Sequence, residues 1–303
     1  MTDRIVAAYS GAPRAASSLR AMVQAQSGDV VALILDLGQG IDLEEAHDRA
    51  RAAGVVRAHV LDVREIFARE FVLPALHAGL RAETGDAVPI ALARPLIGRM
   101  LVEVARMEQA TAVAHGGTGA ARADIEAAIR RLDPGLSILA LPPAPAAGRL
   151  PAVRATLWGR LVEYADEADG LPESVFTWTK PASAASAPAA HVEIGFTRGV
   201  PATLNAVSLP LTELVECLSI IAGQHGIGRV PIVPSDAAPG RRHVLEIPAA
   251  LVLQSAYGAL EAASPTQATG VVRIEFHQGG HTVLGCRPAS TAAAATTAAP
   301  TPS

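Results

Sequence analysis

The first stretch with residues suited to ligand binding is residues 10–17, which read Ser-Gly-Ala-Pro-Arg-Ala-Ala-Ser. The stretch lies between a short apolar run and a helical segment, and free N–H groups at a helix start attract anions. It lacks the Gly-Lys-Ser/Thr ending of a Walker loop and the GxGxxG spacing of a dinucleotide loop. Pro13 also removes one N–H donor. Two interpretations stay open: a phosphate-binding loop, or a plain turn between a strand and a helix.

A second candidate ligand loop is Gly116-Gly117-Thr118-Gly119, which directly follows the apolar run 112–115. The same four residues also suit an ordinary flexible turn, and their spacing favours neither interpretation. We interpret His115, the residue before the loop, as a packed histidine at a strand end rather than as a catalyst.

The remaining polar pairs favour structural interpretations. His277 and His281 are four residues apart, but they flank the Gly279-Gly280 turn and the chain has no HExxH pattern, so no metal site is predicted. A GxSxG nucleophile elbow is also missing. We interpret Glu44-Glu45 as charges at a helix start and Arg241-Arg242 as a solvated surface pair. The residues alone therefore predict no catalytic group.

Strand-like and helix-like segments alternate through the first half of the chain. Short apolar runs predict strands and longer amphipathic segments predict helices, with Asp42 as the N-cap of the second helix. This alternation predicts a parallel sheet covered on both faces, and such sheets bind ligands at the carboxyl ends of their strands. The predicted strands are 5–9, 30–35, 58–63, 112–115 and 136–141, and the predicted helices are 15–26, 43–53, 64–81, 91–107 and 124–132.

The second half has a different, α+β pattern after a proline-rich linker at 142–148. Its predicted elements are a strand at 191–196, a turn at 199–201, an amphipathic helix at 211–222, and a hairpin of 271–276 with 282–285. Residues 291–303 contain only Ala, Thr, Pro and Ser, and we expect disorder there. The expected domains are 1–145 and 146–290, followed by the tail 291–303.

The composition limits the class of protein. Half of the residues are hydrophobic, the net charge is −4 at pH 7, and Lys and Arg form no run, so no nucleic-acid partner is expected. No apolar run approaches the ~20 residues of a membrane span, and the polar start Met1–Arg4 predicts no signal peptide. Cys217 and Cys286 are far apart and read as reduced, structural cysteines. We expect a cytoplasmic protein that binds no membrane.

Taken in order, segments of this chain resemble the argininosuccinate synthase family, which uses ATP to join citrulline to aspartate. The resemblance implies an α/β fold with two domains. The first is a parallel-sheet nucleotide-binding domain that is adenine nucleotide alpha-hydrolase-like, and the second is an α+β synthetase-type domain. The ordered set, which reaches from residue 4 to residue 288, is specific although each piece is short. Matching stretches are 8–11, 37–40, 43–46, 71–76, 92–97, 102–103, 114–119, 157–160, 199–201, 222–229 and 269–273.

The resemblance also implies a set of site residues and ligands. The ligands would be ATP, with Mg²⁺ accompanying it, and the substrates citrulline and aspartate. Thr118 matches an aspartate contact of the family. The positions that match nucleotide contacts are Ala8, Tyr9, Ser10, Gly11 and Gly116.

Most other positions of the family's site depart from its pattern. The family's phosphate loop reads Ser-Gly-Gly-Leu-Asp-Thr-Ser, whereas here the acid is replaced by Arg14 and the two hydroxyls by Ala15 and Ala16. The family's second motif has Lys, Asn, Asp and Arg where this chain has Ala120, Arg122, Ala123 and Glu126. Polar citrulline contacts of the family are replaced at Asp86, Ile90, Ala152, Leu161, Pro234 and Leu245.

The changes leave three hypotheses. In the first hypothesis, the chain is a homologue that keeps the fold and has lost the ligase chemistry. In the second, it is an active argininosuccinate synthase with an unusual site. In the third, it is a ligase for another substrate. The family's terminal helix, which embraces neighbouring subunits in a tetramer, is replaced by the Ala/Thr tail, so a homo-oligomer would lack that contact. We expect the first hypothesis to hold, since changes fall in all three ligand sites.

Overall fold

The first half of the chain forms a parallel five-stranded sheet with the strand order β3-β2-β1-β4-β5. The computed structural model describes residues 3–79, 88–144, 151–165, 171–185, 188–233, 240–264 and 268–289. The order reverses between β1 and β4, which pair through Ala7 and Ala114. The strands are β1 (Arg4–Ala8), β2 (Asp29–Asp36), β3 (Arg57–Asp62), β4 (Ala112–His115) and β5 (Ser137–Ala140).

Helices cover both faces of this sheet because alternate residues of its strands point to opposite sides. On one face, Ile5 and Ala7 of β1 belong to the same buried cluster as Leu19 and Ala46 of the first two helices. On the other face, Val6 packs in a second cluster that continues through the rest of the chain. The helices are α1 (Ala15–Ala25), α2 (Leu43–Ala52), α3 (Arg64–Phe67), α4 (Leu73–His77), α5 (Val88–Ala91), α6 (Arg94–Met107) and α7 (Gly119–Leu132), and a π-helical turn (Ala68–Val72) joins α3 to α4.

The sequence predicted the existence of these elements better than their ends. Asp42 caps α2 as predicted, because its carboxylate accepts a hydrogen bond from the Glu45 N–H at 2.9 Å. The predicted helix at 91–107 begins at Arg94 instead, since Pro95 favours the first turn of a helix. The predicted helix at 124–132 begins five residues earlier, at Gly119, because its apolar period becomes visible only at Ile125 and Ile129.

The second half contains two antiparallel sheets and two helices, α8 (Leu211–Gln224) and α9 (Pro248–Ala263). The hairpin predicted around Gly279-Gly280 is confirmed as β13 (Gly270–His277) paired with β14 (Gly280–Pro288). The other strands are β6 (Ala152–Thr156), β7 (Gly159–Ala165), β8 (Ala190–Thr197), β9 (Val200–Leu204), β10 (Val207–Ser208), β11 (Arg229–Ile232) and β12 (Arg241–Glu246). The strand orders are β10-β9-β8-β13-β14 and β11-β12-β7-β6.

Two predictions for the second half were wrong in detail. The turn expected at 199–201 ends at Gly199, because Val200 and Pro201 already pair with β8 as the start of β9. Arg241, interpreted as part of a solvated surface pair, lies in β12 and donates a hydrogen bond to Glu163 at 3.0 Å. The expected boundary at 145/146 and the expected tail 291–303 fall outside the described residues and stay predictions.

The two halves share one interior. The Leu157 N–H donates to the Leu37 carbonyl at 2.5 Å, and the Thr156 hydroxyl donates to the Pro89 carbonyl at 2.9 Å. A side chain at Gly38 would place its Cβ 2.9 Å from the Cα of Leu157, so glycine permits this close approach. Among the described residues, no helix is long and apolar enough to cross a bilayer.

At the amino ends of the parallel strands, Glu108 holds two arginines and a histidine. Its carboxylate lies 3.0 Å from Arg4, 2.7 Å from Arg57 and 2.6 Å from His59, and its side chain is 2% exposed. A buried carboxylate is tolerated only when it is paired and hydrogen-bonded. This cluster therefore ties β1, β3 and the end of α6 together.

We predict that Glu108→Gln lowers the free energy of unfolding by about 1–3 kcal/mol, because the charge-assisted hydrogen bonds to Arg57 and His59 are lost. Urea denaturation monitored by circular dichroism measures the change. Glu103→Gln is the control on the same helix: its side chain is 55% exposed and 3.8 Å from Arg99, so its effect stays within about 0.5 kcal/mol. Equal effects of the two substitutions would contradict the structural role of Glu108.

The same carboxylate predicts a pH dependence. Burial raises the pKa of Glu108, but hydrogen bonds from His59 and Arg57 outweigh burial and leave that pKa below its ordinary value. The folded-state pKa is thus lower than the unfolded one, so the stabilisation is complete above the unfolded pKa of ~4.3 and disappears as the pH falls through the folded pKa. The stability difference between the wild type and Glu108→Gln should shrink as urea denaturation is repeated from about pH 6 to about pH 3. A difference that grows on acidification would refute this assignment.

Candidate functional site

The two candidate loops leave the sheet side by side. Residues 9–14 follow β1 and residues 116–118 follow β4, and these strands are neighbours at the point where the strand order reverses. Crevices at such points are where open parallel sheets bind ligands. The fold therefore brings to one edge all six predicted contact residues: Ala8, Tyr9, Ser10, Gly11, Gly116 and Thr118.

Around the first loop, three backbone donors already have partners within residues 10–16. The Ala12 N–H donates to the Ser10 hydroxyl at 3.4 Å. The N–H groups of Ala15 and Ala16 donate to the carbonyls of Ala12 and Pro13 at 3.0 and 3.3 Å. Pro13 has no N–H group. These three donors would have to leave their present partners before they could bind a phosphate group.

Two side chains also hold the first loop in place by hydrogen bonds to its carbonyl groups. The Tyr9 hydroxyl donates to the Ala12 carbonyl at 3.2 Å, and Arg49 of α2 donates to the Gly11 carbonyl at 2.8 Å. Gly11 has a φ of +77°, and a Cβ there would lie 2.4 Å from the Cδ1 of Ile41, so only glycine suits the position. Tyr9, a predicted nucleotide contact, is buried and supports the backbone with its hydroxyl. Arg49 had no distinguishing signal in the sequence.

In the second loop, His115 presents a buried donor. Its side chain is 3% exposed, and its Nδ1 accepts a hydrogen bond from the Gly117 N–H at 3.2 Å. Burial lowers the pKa of His115, an effect that Glu126 opposes and Arg122 reinforces, which favours the neutral ring. We therefore place its proton on Nε2, which is buried and has no hydrogen-bond partner among the described residues. A buried donor without a partner is costly, and a ligand or a water would satisfy it.

The start of α7 adds further donors beside His115. Thr118 is the N-cap, but its side chain makes no capping hydrogen bond, and the first turn carries no acidic residue. The first amides of a helix attract anions when no side chain caps them. The start of α1 is likewise uncapped and has no acidic residue in its first turn, so the feature that distinguishes the loop after β4 is the buried Nε2–H of His115, which has no partner among the described residues.

Two substituted positions of α7 neutralise each other. Arg122 Nε lies 2.7 Å from Glu126, and Arg130 lies 3.2 Å from the same carboxylate. The hydrogen bonds from Arg122 and Arg130 outweigh burial and lower the pKa of Glu126. These charges are engaged with each other along the helix, and Arg94 is similarly engaged with Asp124 at 2.8 Å.

Comparison with known proteins identifies the ancestry of this arrangement. The sequence pattern of the "Arginosuccinate synthase N-terminal HUP domain" matches residues 4–167, and that of the "Arginosuccinate synthase C-terminal domain" matches residues 153–267. An argininosuccinate synthase of Dictyoglomus turgidum is 34% identical over 285 residues, which make up 86% of this chain and 71% of that protein. One from Bacillus thuringiensis is 35% identical over 284 residues, 85% of this chain and 71% of the relative. The chain belongs to the argininosuccinate synthase family.

The fold expected from this membership is confirmed. The N-terminal parallel sheet is that of the family's HUP domain, which is adenine nucleotide alpha-hydrolase-like, and a domain with antiparallel sheets follows it. The residue-level assignments within the site, Thr118 included, stay predictions. Among the described residues, no group of three or more His, Cys, Asp or Glu side chains is placed to hold a metal ion.

At several of the positions that the resemblance matches to polar citrulline contacts, the structure shows core packing. Leu161 of β7 and Leu245 of β12 are direct cross-strand partners, 1% and 0% exposed. Both belong to the large hydrophobic cluster, and Ile90 packs against it. Ala152, another such position, starts β6, whereas Asp86 and Pro234 lie outside the described residues.

Two arginines retained from the family's motifs have structural partners. Arg160 pairs with the fully buried Glu246, which also accepts hydrogen bonds from the Thr179 N–H and hydroxyl at 2.9 Å. Arg229 lies 2.9 Å from Glu173 and 4.0 Å above the ring of Phe176. Both arginines hold the segment 173–179 in place and so have a structural role.

We predict that Leu161→Ser, which returns the family's residue type to this position, lowers the free energy of unfolding by about 2–5 kcal/mol, because it leaves a cavity and a buried hydroxyl in the core. Chemical denaturation measures the effect. Leu284→Ser is the matched control, since the same substitution removes a side chain that is 47% exposed, and should cost no more than about 0.5 kcal/mol. A neutral Leu161→Ser would show that this position still faces an open site.

Proposed function

We propose that this chain is an argininosuccinate synthase homologue that has lost most of the family's ATP-dependent ligation of citrulline and aspartate, and that it keeps the fold with a weakened nucleotide site. The observation that carries the proposal is the contact between Leu161 and Leu245. Two positions where the family has polar citrulline contacts are closed against each other in the core.

The energetic consequence is large. A site selects a polar substrate through buried hydrogen bonds, and each lost contact costs about 1–3 kcal/mol. Two such losses amount to roughly 2–6 kcal/mol, or at least roughly 30-fold in affinity. Arg122 and Glu126 add to this loss, because the charges that replace the family's Asn and Arg are engaged with each other.

The nucleotide site is weakened rather than erased. Three amides at the first loop, those of Ala12, Ala15 and Ala16, already have partners within residues 10–16. Arg14 stands where the family has an acid, so no carboxylate is left at this position to hold Mg²⁺ near the phosphates. The start of α7 and the Nε2–H of His115 still offer donors to an anionic group. ATP, where it binds, would therefore depend on the loop after β4.

The burial of Leu161 also disfavours a ligase with an enlarged, apolar substrate pocket. An apolar specificity pocket needs side chains that face a ligand, whereas Leu161 and Leu245 are in contact across neighbouring strands and almost fully buried. Loss of the chemistry accounts for this geometry better than a change of substrate.

We predict that argininosuccinate formation from ATP, citrulline and aspartate is at least about 100-fold slower than that of the Dictyoglomus turgidum relative assayed in parallel, given several lost contacts of about 1–3 kcal/mol each. Calorimetry should show ATP binding that is weaker than the relative's and unaffected by citrulline. Circular dichroism confirms that the protein is folded in the same buffer. Turnover within about tenfold of the relative's, or ATP affinity that rises when citrulline is added, would overturn the proposal.

A further inference from the structure

The second half carries a cavity that lies on a different sheet from the candidate site. One face of the sheet β10-β9-β8-β13-β14 is buried under α8 and α9, through residues such as Ile194, Val272 and Phe276. On the sheet formed by β8, β13 and β14 there is a surface cavity of about 280 Å³ that is widely open to solvent. Its lining includes Glu193, Val271, Arg273, Leu284, Gly285 and Arg287.

A β-bulge shapes the cavity. The register of β13 and β14 shifts between Arg273 and Ile274: Arg273 pairs with Gly285, Ile274 pairs with Val283, and Leu284 is the extra residue. Bulges bend a strand and re-aim its side chains. Leu284 is left about half exposed, and a Cβ built on Gly285 would meet nothing within 4 Å. At the bulge, the apolar side chain of Leu284 therefore lies beside the open space above Gly285.

The charged side chains that line the cavity have no ionic partner among the described residues. Arg273 pairs with Glu193 of β8 in the strand register, and Arg287 lies opposite Val271, two residues along β13. Diagonal positions on one face of a sheet lie within reach of long side chains. Yet in the part of the chain that the structure describes, none of these three side chains makes an ion pair or a hydrogen bond. Many other arginines of this chain are paired, as Arg57 and Arg229 show.

We propose that this cavity binds a small α-amino acid with an aliphatic side chain. The two guanidinium groups would hold the carboxylate, since arginine forks match that geometry. The Glu193 carboxylate would hold the ammonium group, and Val271 and Leu284 would contact the side chain. This charge pattern, two cations with one anion beside an apolar wall, complements a zwitterion better than a plain anion. The proposal does not depend on the loss of ligase activity.

Calorimetry on the full chain with L-leucine as the probe tests the proposal, and three related compounds separate its parts. Leucinamide lacks the carboxylate, 4-methylpentanoate lacks the amine, and inorganic phosphate is an anion without an apolar part. We expect saturable binding of leucine that is at least about tenfold tighter than that of any of the three. No saturable leucine binding up to about 10 mM, or phosphate binding as tight as leucine binding, would overturn the proposal.

Variants then assign the contacts. Arg273→Met and Arg287→Met should each weaken leucine binding by about tenfold. Glu193→Gln should weaken leucine binding and leave 4-methylpentanoate binding unchanged. Arg198→Met is the control, because Arg198 is an exposed arginine between β8 and β9 of the same sheet and does not line the cavity. Because all four side chains lie at the surface or partly exposed, the variants should fold, which circular dichroism checks. Leucine binding that is unaffected by Arg273→Met, or that is equally weakened by Arg198→Met, would refute the assignment.

Discussion

The contact between Leu161 and Leu245 is the constraint on which the account of this protein depends. It joins β7 to β12 inside a hydrophobic cluster that runs from the parallel sheet into the second half. Burying two leucines stabilises the fold by about 1.5–3 kcal/mol each. A polar substrate contact at the same positions would require hydroxyl groups and an accessible surface. The packing seen here and a polar citrulline contact make opposite demands on these two residues, which supports the proposed loss of the ligation chemistry.

Internal bonding is also found in the rest of the candidate site. At the first loop, the amides of Ala15 and Ala16 donate to the carbonyls of Ala12 and Pro13, the Tyr9 hydroxyl also donates to the Ala12 carbonyl, and Arg49 donates to the Gly11 carbonyl. On α7, Arg122 and Glu126 are paired with each other. His115 differs, because its buried Nε2–H has no partner among the described residues. If this edge of the sheet still binds a ligand, we expect the ligand to contact His115 and the loop after β4.

The sequence was sufficient to predict the parallel sheet, because its strands are short apolar runs separated by amphipathic helices. It was also sufficient for the β13–β14 hairpin, whose glycine turn is a strong local signal. It did not reveal β12, because Arg-Arg-His-Val-Leu-Glu has no clean alternation and the strand is stabilised by partners distant in sequence, such as Glu163. The start of α7 was misplaced because Gly119 and the alanines after it carry no apolar period.

For the site, the sequence predicted which positions meet but not how they are bonded. The strand–loop pattern correctly placed residues 8–11 and 116–118 at one edge, since parallel strands end together. The pairing of Leu161 with Leu245 depends on a strand register that no single-sequence pattern encodes. Arg122 and Glu126 have the i, i+4 spacing of a helical ion pair, but the predicted helix began at residue 124, after Arg122. A crystal structure of the protein grown with ATP, citrulline and aspartate is the most direct test. The account predicts Leu161 packed against Leu245 with no citrulline beside β7, whereas an ordered citrulline in contact with β7 and a displaced Leu161 would contradict it.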